Sequence, residues 1–224
     1  MKKMQRREFS TALVGAGALA LGLPAAAQGG PVEGTHYVRL GQPLPVTAPA
    51  GKVEVVEFFW YGCPHCNVFE PALDAWSKKL PADVAFRRVH VAFRPTFEPQ
   101  QRLYATLEAL GLVDQIHRKV FYAIHNQGVR LDKPEAIIEF AVANGADRAR
   151  FTEMYNSFGI KTKVMQGRQL ADAYKIDGVP ALGIHGRFYT SPSLAGGENT
   201  PEAEGQARAL ALTDQLVARL RKGG

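Results

Sequence analysis

A predicted buried strand that leads into a pair of closely spaced cysteines limits the folds open to this chain. Residues 52–59 (KVEVVEFF) are β-branched and aromatic, which favours a buried strand. The chain then reaches the tetrapeptide Cys63-Pro64-His65-Cys66. Residues 67–80 carry apolar side chains at helical spacing, and residues 86–91 are predicted to be a second strand. The opening is therefore a strand-helix-strand unit.

The rest of the chain is predicted to be a long helical stretch followed by a hairpin and a helix. Helical periodicity runs from residue 101 to about residue 174, and four glycines and a proline divide it into four or five segments. Two short apolar runs at 180–184 and 187–190 flank a His-Gly pair, which predicts a β-hairpin. A Gly-, Pro- and Ser-rich segment after the hairpin predicts a loop, and residues 202–220 have the pattern of an amphipathic helix.

This order of elements is that of a thioredoxin fold with an inserted helical domain. We predict an α/β protein with a mixed central sheet, interrupted by an all-helical insertion. Residues 28–100 form the first part of the thioredoxin domain, with the strand-helix-strand unit and both cysteines. Residues 101–174 form the insertion, and residues 175–224 complete the thioredoxin domain with the hairpin and the last helix.

The first 27 residues are predicted to be a cleaved export signal. Four basic residues open it, an uncharged Ala- and Gly-rich stretch follows at 9–23, and Ala25-Ala26-Ala27 offers a cleavage site before Gln28. The apolar stretch is shorter than a membrane-spanning helix requires. Arg6-Arg7-Glu8-Phe9 resembles a twin-arginine signal, although Gln5 departs from that pattern, so the general secretory route stays open. We expect the mature protein in the periplasm.

Removal of this segment also weakens any argument from charge. The segment holds four basic residues and one acidic residue, so the net charge falls from +6 to +3. The remaining basic residues are scattered among acidic ones, without the cluster that phosphate binding needs. We therefore expect no nucleic-acid partner.

The cysteine pair carries the chemistry of the sequence. The chain has only two cysteines, and thiol-disulfide exchange needs a reactive thiolate with a second sulfur close by. Pro64 is favoured at a first helical position, so Cys63 would lie at a helix N-terminus, where backbone N–H groups stabilise a thiolate. His65, when protonated, adds a second favourable charge. A half zinc site and a structural disulfide are the alternatives, whereas Asn67 after Cys66 excludes a c-type haem.

A family resemblance supports the redox alternative. The segment Glu57-Phe58-Phe59, the Cys-Pro-His-Cys motif and Phe69-Glu70 together resemble the active-site segment of DsbA proteins. Further matches are the helical insertion, residues 76–81, and Gly178-Val179-Pro180 before the hairpin. The resemblance implies a monomeric oxidoreductase that passes a Cys63–Cys66 disulfide to unfolded exported proteins through a mixed disulfide at Cys63. It implies no metal and no cofactor beyond this disulfide, and a quinone-linked membrane reoxidant of the DsbB type.

The resemblance also assigns roles to residues outside the tetrapeptide. It implies a cis Pro180 facing the cysteines, with Val179 and Pro180 as the platform for a bound peptide. Glu57 is an acid in an apolar strand; if buried, its pKa would rise and it could exchange a proton with Cys66. Its alternative is an exposed glutamate at a strand end. Arg88 stands where the family usually has a lysine partner, which leaves the proton route open because arginine keeps its charge.

Other functions remain open from the sequence alone. A disulfide reductase or isomerase could use the same fold with a less oxidising pair, although the short segment before the first strand leaves no room for an isomerase dimerisation domain. A peptide- or metal-binding module could use the two cysteines as ligands. His90, His117, His125 and His185 have no visible partners in the sequence, and we expect them to be ordinary core or surface residues.

Overall fold

The computed structural model describes residues 30–223, and the predicted export signal at 1–27 lies outside them. Among these residues, none of the helices is both long and apolar enough to cross a membrane. The central sheet has five strands: β1 (Val38–Arg39), β2 (Val53–Phe59), β3 (Val84–His90), β4 (Ala181–Ile184) and β5 (Phe188–Thr190).

The sheet is mixed, as predicted. Its strand order is β1-β5-β4-β2-β3; β2 and β3 are parallel, and the remaining neighbours are antiparallel. All seven residues of β2 are buried, since this strand has a partner on each side and covered faces. The end of β2, which leads into the cysteine pair, is thus held firmly in the centre of the fold.

Eight α-helices surround the sheet within residues 30–223. They are α1 (Pro64–Ser77), α2 (Glu98–Leu110), α3 (Val113–Gln127), α4 (Pro134–Ala143), α5 (Arg148–Asn156), α6 (Phe158–Tyr174), α7 (Pro192–Gly196) and α8 (Glu202–Arg221). Helices α2 to α6 lie between β3 and β4, where the insertion is predicted. The division into a thioredoxin domain and an inserted domain stays a prediction.

Local signals explain where most of these helices begin and end. Gly111 and Gly128 end α2 and α3 with φ of 70° and 66°, a left-handed conformation that glycine adopts without a steric penalty. The side chains of Asp147 and Ser157 accept hydrogen bonds from backbone N–H groups in the first turns of α5 and α6. Because Ser157 caps α6, Gly159 lies within the first turn of this helix and does not separate two helices. The other predicted breaks, three glycines and a proline, do lie at boundaries between helices.

Several boundaries differ from the predicted ones. Helix α1 begins at Pro64, as predicted from the preference of proline for the first turn, but it ends at Ser77 and not at residue 80. Strand β3 runs from Val84 to His90, since its register against β2 extends to Val53. Strand β1 and the 3₁₀ turn Pro95–Phe97 were not predicted, nor was α7, which Ser191 caps from within a segment expected to be a loop.

The largest apolar cluster connects the sheet to the helices that follow it. Phe59 and Tyr61, at and just beyond the end of β2, pack with Tyr104 and Phe121 and with further apolar residues of α2 to α5. The rings of Phe59 and Tyr104 meet edge to face with centroids 5.0 Å apart. The same cluster includes both cysteines, so packing against the helices fixes the segment that carries the site.

Candidate active site

The two cysteines lie at the start of α1 as free thiols. Cys63 is the N-cap residue and is 7% exposed, whereas Cys66, in the first turn, is fully buried. No side chain caps the helix, so its first backbone N–H groups remain directed towards the Cys63 sulfur. Only Cys63 is therefore open to attack by another protein.

This environment lowers the pKa of Cys63 to about 6. The main cause is a hydrogen bond from the Cys66 thiol; burial opposes it, and the backbone N–H groups of Cys66 and His65 and the His65 charge add to it. These groups all favour the anion, as predicted for a cysteine at a helix N-terminus. Cys63 is thus largely a thiolate at neutral pH.

The pKa of the second thiol, Cys66, is shifted in the opposite direction. Burial is the main cause that raises the pKa of Cys66, and the hydrogen bond and charge of Cys63 and the charge of Glu57 raise it further. Cys66 therefore keeps its proton at neutral pH. The pair consists of one stable thiolate and one thiol that cannot ionise without a proton acceptor.

The loop before β4 faces Cys63. The Val179–Pro180 peptide bond is cis, as predicted, and Cys63 Sγ lies 3.3 Å from the Val179 carbonyl oxygen, to which it donates a hydrogen bond only when the thiol is protonated. A cavity of about 570 Å³ opens beside this loop and is bounded by His65, Leu194 and Glu202 among others. The cysteine, the cis-proline loop and the cavity form one continuous surface.

His65 has a partner that the sequence analysis missed. Its Nδ1–H donates a hydrogen bond of 2.8 Å to Glu202 Oε1, at the N-terminus of α8. This hydrogen bond is the main cause that raises the pKa of His65. No pattern in the sequence connects two residues 137 positions apart, so only the tertiary structure reveals the pair.

Glu57 lies buried beneath the cysteines and binds Arg88. Parallel pairing of β2 and β3 places Glu57 opposite Arg88, whose Nε donates a hydrogen bond of 2.9 Å to Glu57 Oε2. Arg88 Nη2 donates a second bond of 2.9 Å to Glu70 Oε1 in α1. Burial raises the pKa of Glu57 to about 8; Arg88 opposes the shift and Glu70 adds to it. The exposed alternative for Glu57 is therefore wrong.

The four histidines whose partners the sequence did not show all have hydrogen-bond partners in the structure. His117 shares a hydrogen bond of 2.8 Å with the Tyr61 hydroxyl and lies 3.3 Å from Glu70 Oε2. The Tyr61 N–H donates a hydrogen bond to His90, and His125 is hydrogen-bonded to the Tyr61 carbonyl oxygen. The Glu54 N–H donates a hydrogen bond to His185. The ionisable groups under the site thus extend from Glu57 into the helical region. Within residues 30–223, no group of three or more His, Cys, Asp or Glu side chains could hold a metal ion.

Fold and site together define a class of protein. A thioredoxin-type sheet that carries a Cys-x-x-Cys pair at a helix N-terminus, opposite a cis-proline, is the arrangement of a thiol-disulfide oxidoreductase. Residues 54–204 match the model of the DSBA-like thioredoxin domain.

Curated relatives and solved structures agree with this match. The chain is 43% identical over 193 residues to the thiol:disulfide interchange protein DsbA of Burkholderia cepacia, which covers 86% of the chain and 89% of the relative. It is 41% identical over 188 residues to the protein of the same name from Pseudomonas aeruginosa strain PAO1, covering 84% of the chain and 85% of the relative.

Structural similarity extends across the described chain. The crystal structure of Pseudomonas aeruginosa DsbA superposes with a TM-score of 0.79 at 39% identity, covering 86% of this chain and 95% of that one. NmDsbA1 from Neisseria meningitidis gives a TM-score of 0.70 at 28% identity, with 86% and 95% covered. The chain belongs to the DSBA-like thioredoxin domain family and is a thiol-disulfide oxidoreductase of the DsbA type. Proteins of this family act through a redox-active disulfide.

Proposed function

We propose that this protein donates a Cys63–Cys66 disulfide to unfolded, cysteine-containing proteins newly exported to the periplasm. The observation that carries the proposal is the opposite perturbation of the two thiols. The pKa of Cys63 is lowered to about 6 while that of Cys66 is raised, so the reduced pair is stabilised as one thiolate and one thiol. A stabilised reduced form makes the corresponding disulfide a stronger oxidant.

The reaction begins when a substrate thiolate attacks the Cys63 sulfur of the oxidised protein. A bond forms between the substrate sulfur and Cys63, and the Cys63–Cys66 bond breaks, leaving its electron pair on Cys66. A second substrate thiolate then attacks the substrate sulfur of the mixed disulfide and releases Cys63 as a thiolate. The substrate is oxidised by two electrons, and the cysteine pair is reduced by two.

Cys66 needs a proton when it leaves, because burial disfavours its thiolate. Glu57 is the donor we propose, since burial raises its pKa to about 8 and its charge is coupled to Cys66. During reoxidation Cys63 forms a mixed disulfide with the reoxidising protein. The Glu57 carboxylate takes the proton back as Cys66 attacks this disulfide. Arg88 keeps its proton and holds the Glu57 carboxyl group in place.

The remaining site residues bind substrate or stabilise charge. Val179 and Pro180 form the platform for the substrate peptide, and the cavity beside them accommodates its neighbouring side chains. Pro64 starts α1 and thereby directs the helix N-terminus at Cys63. His65 adds a positive charge near the Cys63 thiolate.

The reduced protein needs a partner to regain its disulfide. We propose a quinone-linked membrane protein of the DsbB type, which would accept the two electrons through a mixed disulfide at Cys63 and pass them on to the membrane quinone pool. The protein acts as a monomer, without a metal or organic cofactor. An export signal at residues 1–27 delivers it to the periplasm, by either the twin-arginine or the general secretory route.

The reduction potential of the Cys63–Cys66 pair tests this proposal. The purified mature protein is equilibrated in glutathione buffers, and the Cys63 pKa is measured on the same sample by thiolate absorbance. A reduction potential well above the glutathione poise, with a Cys63 pKa near 6, supports the proposal that the protein donates disulfides. A potential near that of thioredoxin, with an ordinary cysteine pKa, would favour the reductase alternative. Bound metal without redox cycling would favour the binding module.

A further inference from the structure

The pair formed by His65 and Glu202 joins two segments of the active-site surface. His65 lies between the cysteines at the start of α1, and Glu202 is the first residue of α8. The 2.8 Å hydrogen bond between them crosses the edge of the cavity beside the cis-proline loop. Glu202 also accepts a weaker hydrogen bond of 3.4 Å from Gln206, which is 5% exposed. A buried neighbour therefore helps to orient the carboxylate towards His65.

The pair contributes little to stability, because both side chains are accessible to solvent. The His65 side chain is 68% exposed and that of Glu202 is 43% exposed. Exposed ion pairs of this kind contribute little or nothing measurable to folding stability. A role for the pair must therefore come from what it does to the charge of His65.

That charge acts on the Cys63 sulfur. The His65 charge is one of the causes that lower the pKa of Cys63, and it has no thiolate to stabilise once the disulfide forms. A protonated His65 thus favours the reduced pair and makes the disulfide more oxidising. A histidine with an ordinary pKa of about 6.5 is mostly neutral at pH 7.5. The contribution of His65 would then be lost above neutral pH.

We infer that Glu202 is a positioning residue that keeps His65 protonated beside Cys63 and so maintains the oxidising strength of the pair as the pH rises above neutrality. The inference extends the proposed function and rests on it. Glu202 does not touch the reacting sulfurs; it acts only through His65. Its removal therefore changes the redox equilibrium by an amount that depends on pH.

The groups around His65 set the sign of this dependence. The Cys63 thiolate and Glu202 favour the protonated imidazole, while partial burial disfavours it. Asp177 and Tyr189 line the same cavity as His65. Glu202 also repels the Cys63 thiolate directly, and this repulsion grows as Cys63 ionises around its pKa of about 6 and is nearly constant from pH 7 to 8. Above pH 7 only the effect transmitted through His65 varies.

Glu202→Gln separates these two effects. At pH 5.5 His65 is protonated in both proteins, so the variant is as oxidising as the wild type, or slightly more so, because the direct repulsion is gone. Near pH 8 the variant loses the imidazolium and its disulfide becomes less oxidising. We expect the equilibrium constant for reduction by glutathione to fall by roughly threefold or more relative to wild type near pH 8.

The experiment measures this constant at pH 5.5, 6.5, 7.5 and 8 for the mature protein, each reduction converting two glutathione thiols into one glutathione disulfide. Glu204→Gln is the matched control, because it removes the same charge from the same turn of α8, where Glu204 pairs with Arg208. A third variant, His65→Gln, is tested alone and combined with Glu202→Gln. Proton NMR of the oxidised proteins follows the titration of the His65 ring directly.

The expected result is a wild-type to Glu202→Gln ratio that rises with pH, a control ratio that does not, and no loss of oxidising strength near pH 8 from Glu202→Gln when His65 is already replaced. The His65 titration should move to lower pH in the Glu202→Gln protein. A ratio that stays constant over the pH series, or an equal change in Glu204→Gln, would overturn the inference. The absolute wild-type potential tests the proposed function separately, since a low potential would refute the oxidase and still leave the ratio measurable.

Discussion

Replacement of Glu57 by glutamine tests the idea that this buried acid is protonated at neutral pH. Glutamine has the same shape as the neutral acid, and its side-chain oxygen can still accept the 2.9 Å hydrogen bond from Arg88. It cannot ionise. We therefore expect Glu57→Gln to stabilise the folded protein above pH 5 and to slow the step in which Cys66 accepts its proton.

The magnitude follows from the pKa of Glu57 in the two states. Its usual value of 4.5 rises to about 8 in the folded protein, mainly through burial. Between these values the unfolded chain loses a proton that the folded chain keeps, so this group lowers stability as the pH rises across that window. A pH of 7 lies about 2.5 units above the unfolded pKa of Glu57, so the raised pKa lowers the free energy of unfolding by about 3 kcal/mol at this pH. Glu57→Gln removes this cost.

Urea unfolding of the reduced proteins at pH 5, 6, 7 and 8 measures the effect. The difference in free energy of unfolding between Glu57→Gln and wild type should grow by about 1.4 kcal/mol for each pH unit up to pH 7. Both proteins retain the ionisation of Cys63, so its contribution cancels in the difference.

Glu54→Gln is the matched control on the same strand. Burial would raise the pKa of Glu54, but hydrogen bonds from Arg87 and Thr47 outweigh it and lower the value. A lowered pKa stabilises the fold above the unfolded value, and this stability is lost only as the pH falls through the folded value. Glu54→Gln should therefore destabilise the protein by the same amount from pH 6 to 8. If Glu57→Gln behaves in this way too, Glu57 is ionised and our reasoning about the proton donor fails.

Three further outcomes are expected. Mixed with a substrate that already contains a disulfide, Cys66→Ser should accumulate the mixed disulfide of Cys63 with that substrate, because the Cys63 thiolate attacks the substrate disulfide, releases one substrate thiolate and has no second cysteine to resolve the bond; it is seen as a higher band on a non-reducing gel, whereas Cys63→Ser should form none. The reduced protein should gain stability relative to the oxidised one as the pH rises from about 6 to 9, because the pKa of Cys63 is lowered and its unfolded value is 9.0; urea midpoints across this range check it. Phe59→Ala should cost about 3–5 kcal/mol in urea unfolding, since Phe59 is fully buried among aromatic rings; a loss below 1 kcal/mol would contradict the described core.

Much of the fold could be predicted because its signals are local. The apolar run of β2, the proline after Cys63 and the glycines that end α2 and α3 each act within a few residues. Strand β1 has only two residues and carries no period that a sequence pattern could reveal. Helix α7 had a local signal in Ser191-Pro192, but its glycine and serine content favoured a loop.

The features of the candidate site also fall into two groups, those with a local signal in the sequence and those set by tertiary contacts. The sequence by itself determined the two cysteines, the helix N-terminus that stabilises Cys63 and the acid at Glu57, because all lie within one strand-turn-helix segment. Only the tertiary structure decided that Glu57 is buried against Arg88, that the Val179 carbonyl faces Cys63 and that Glu202 binds His65. These pairs join residues 31, 116 and 137 positions apart. Their geometry depends on how the sheet pairs and where α8 packs, and neither leaves a periodic signal in the chain.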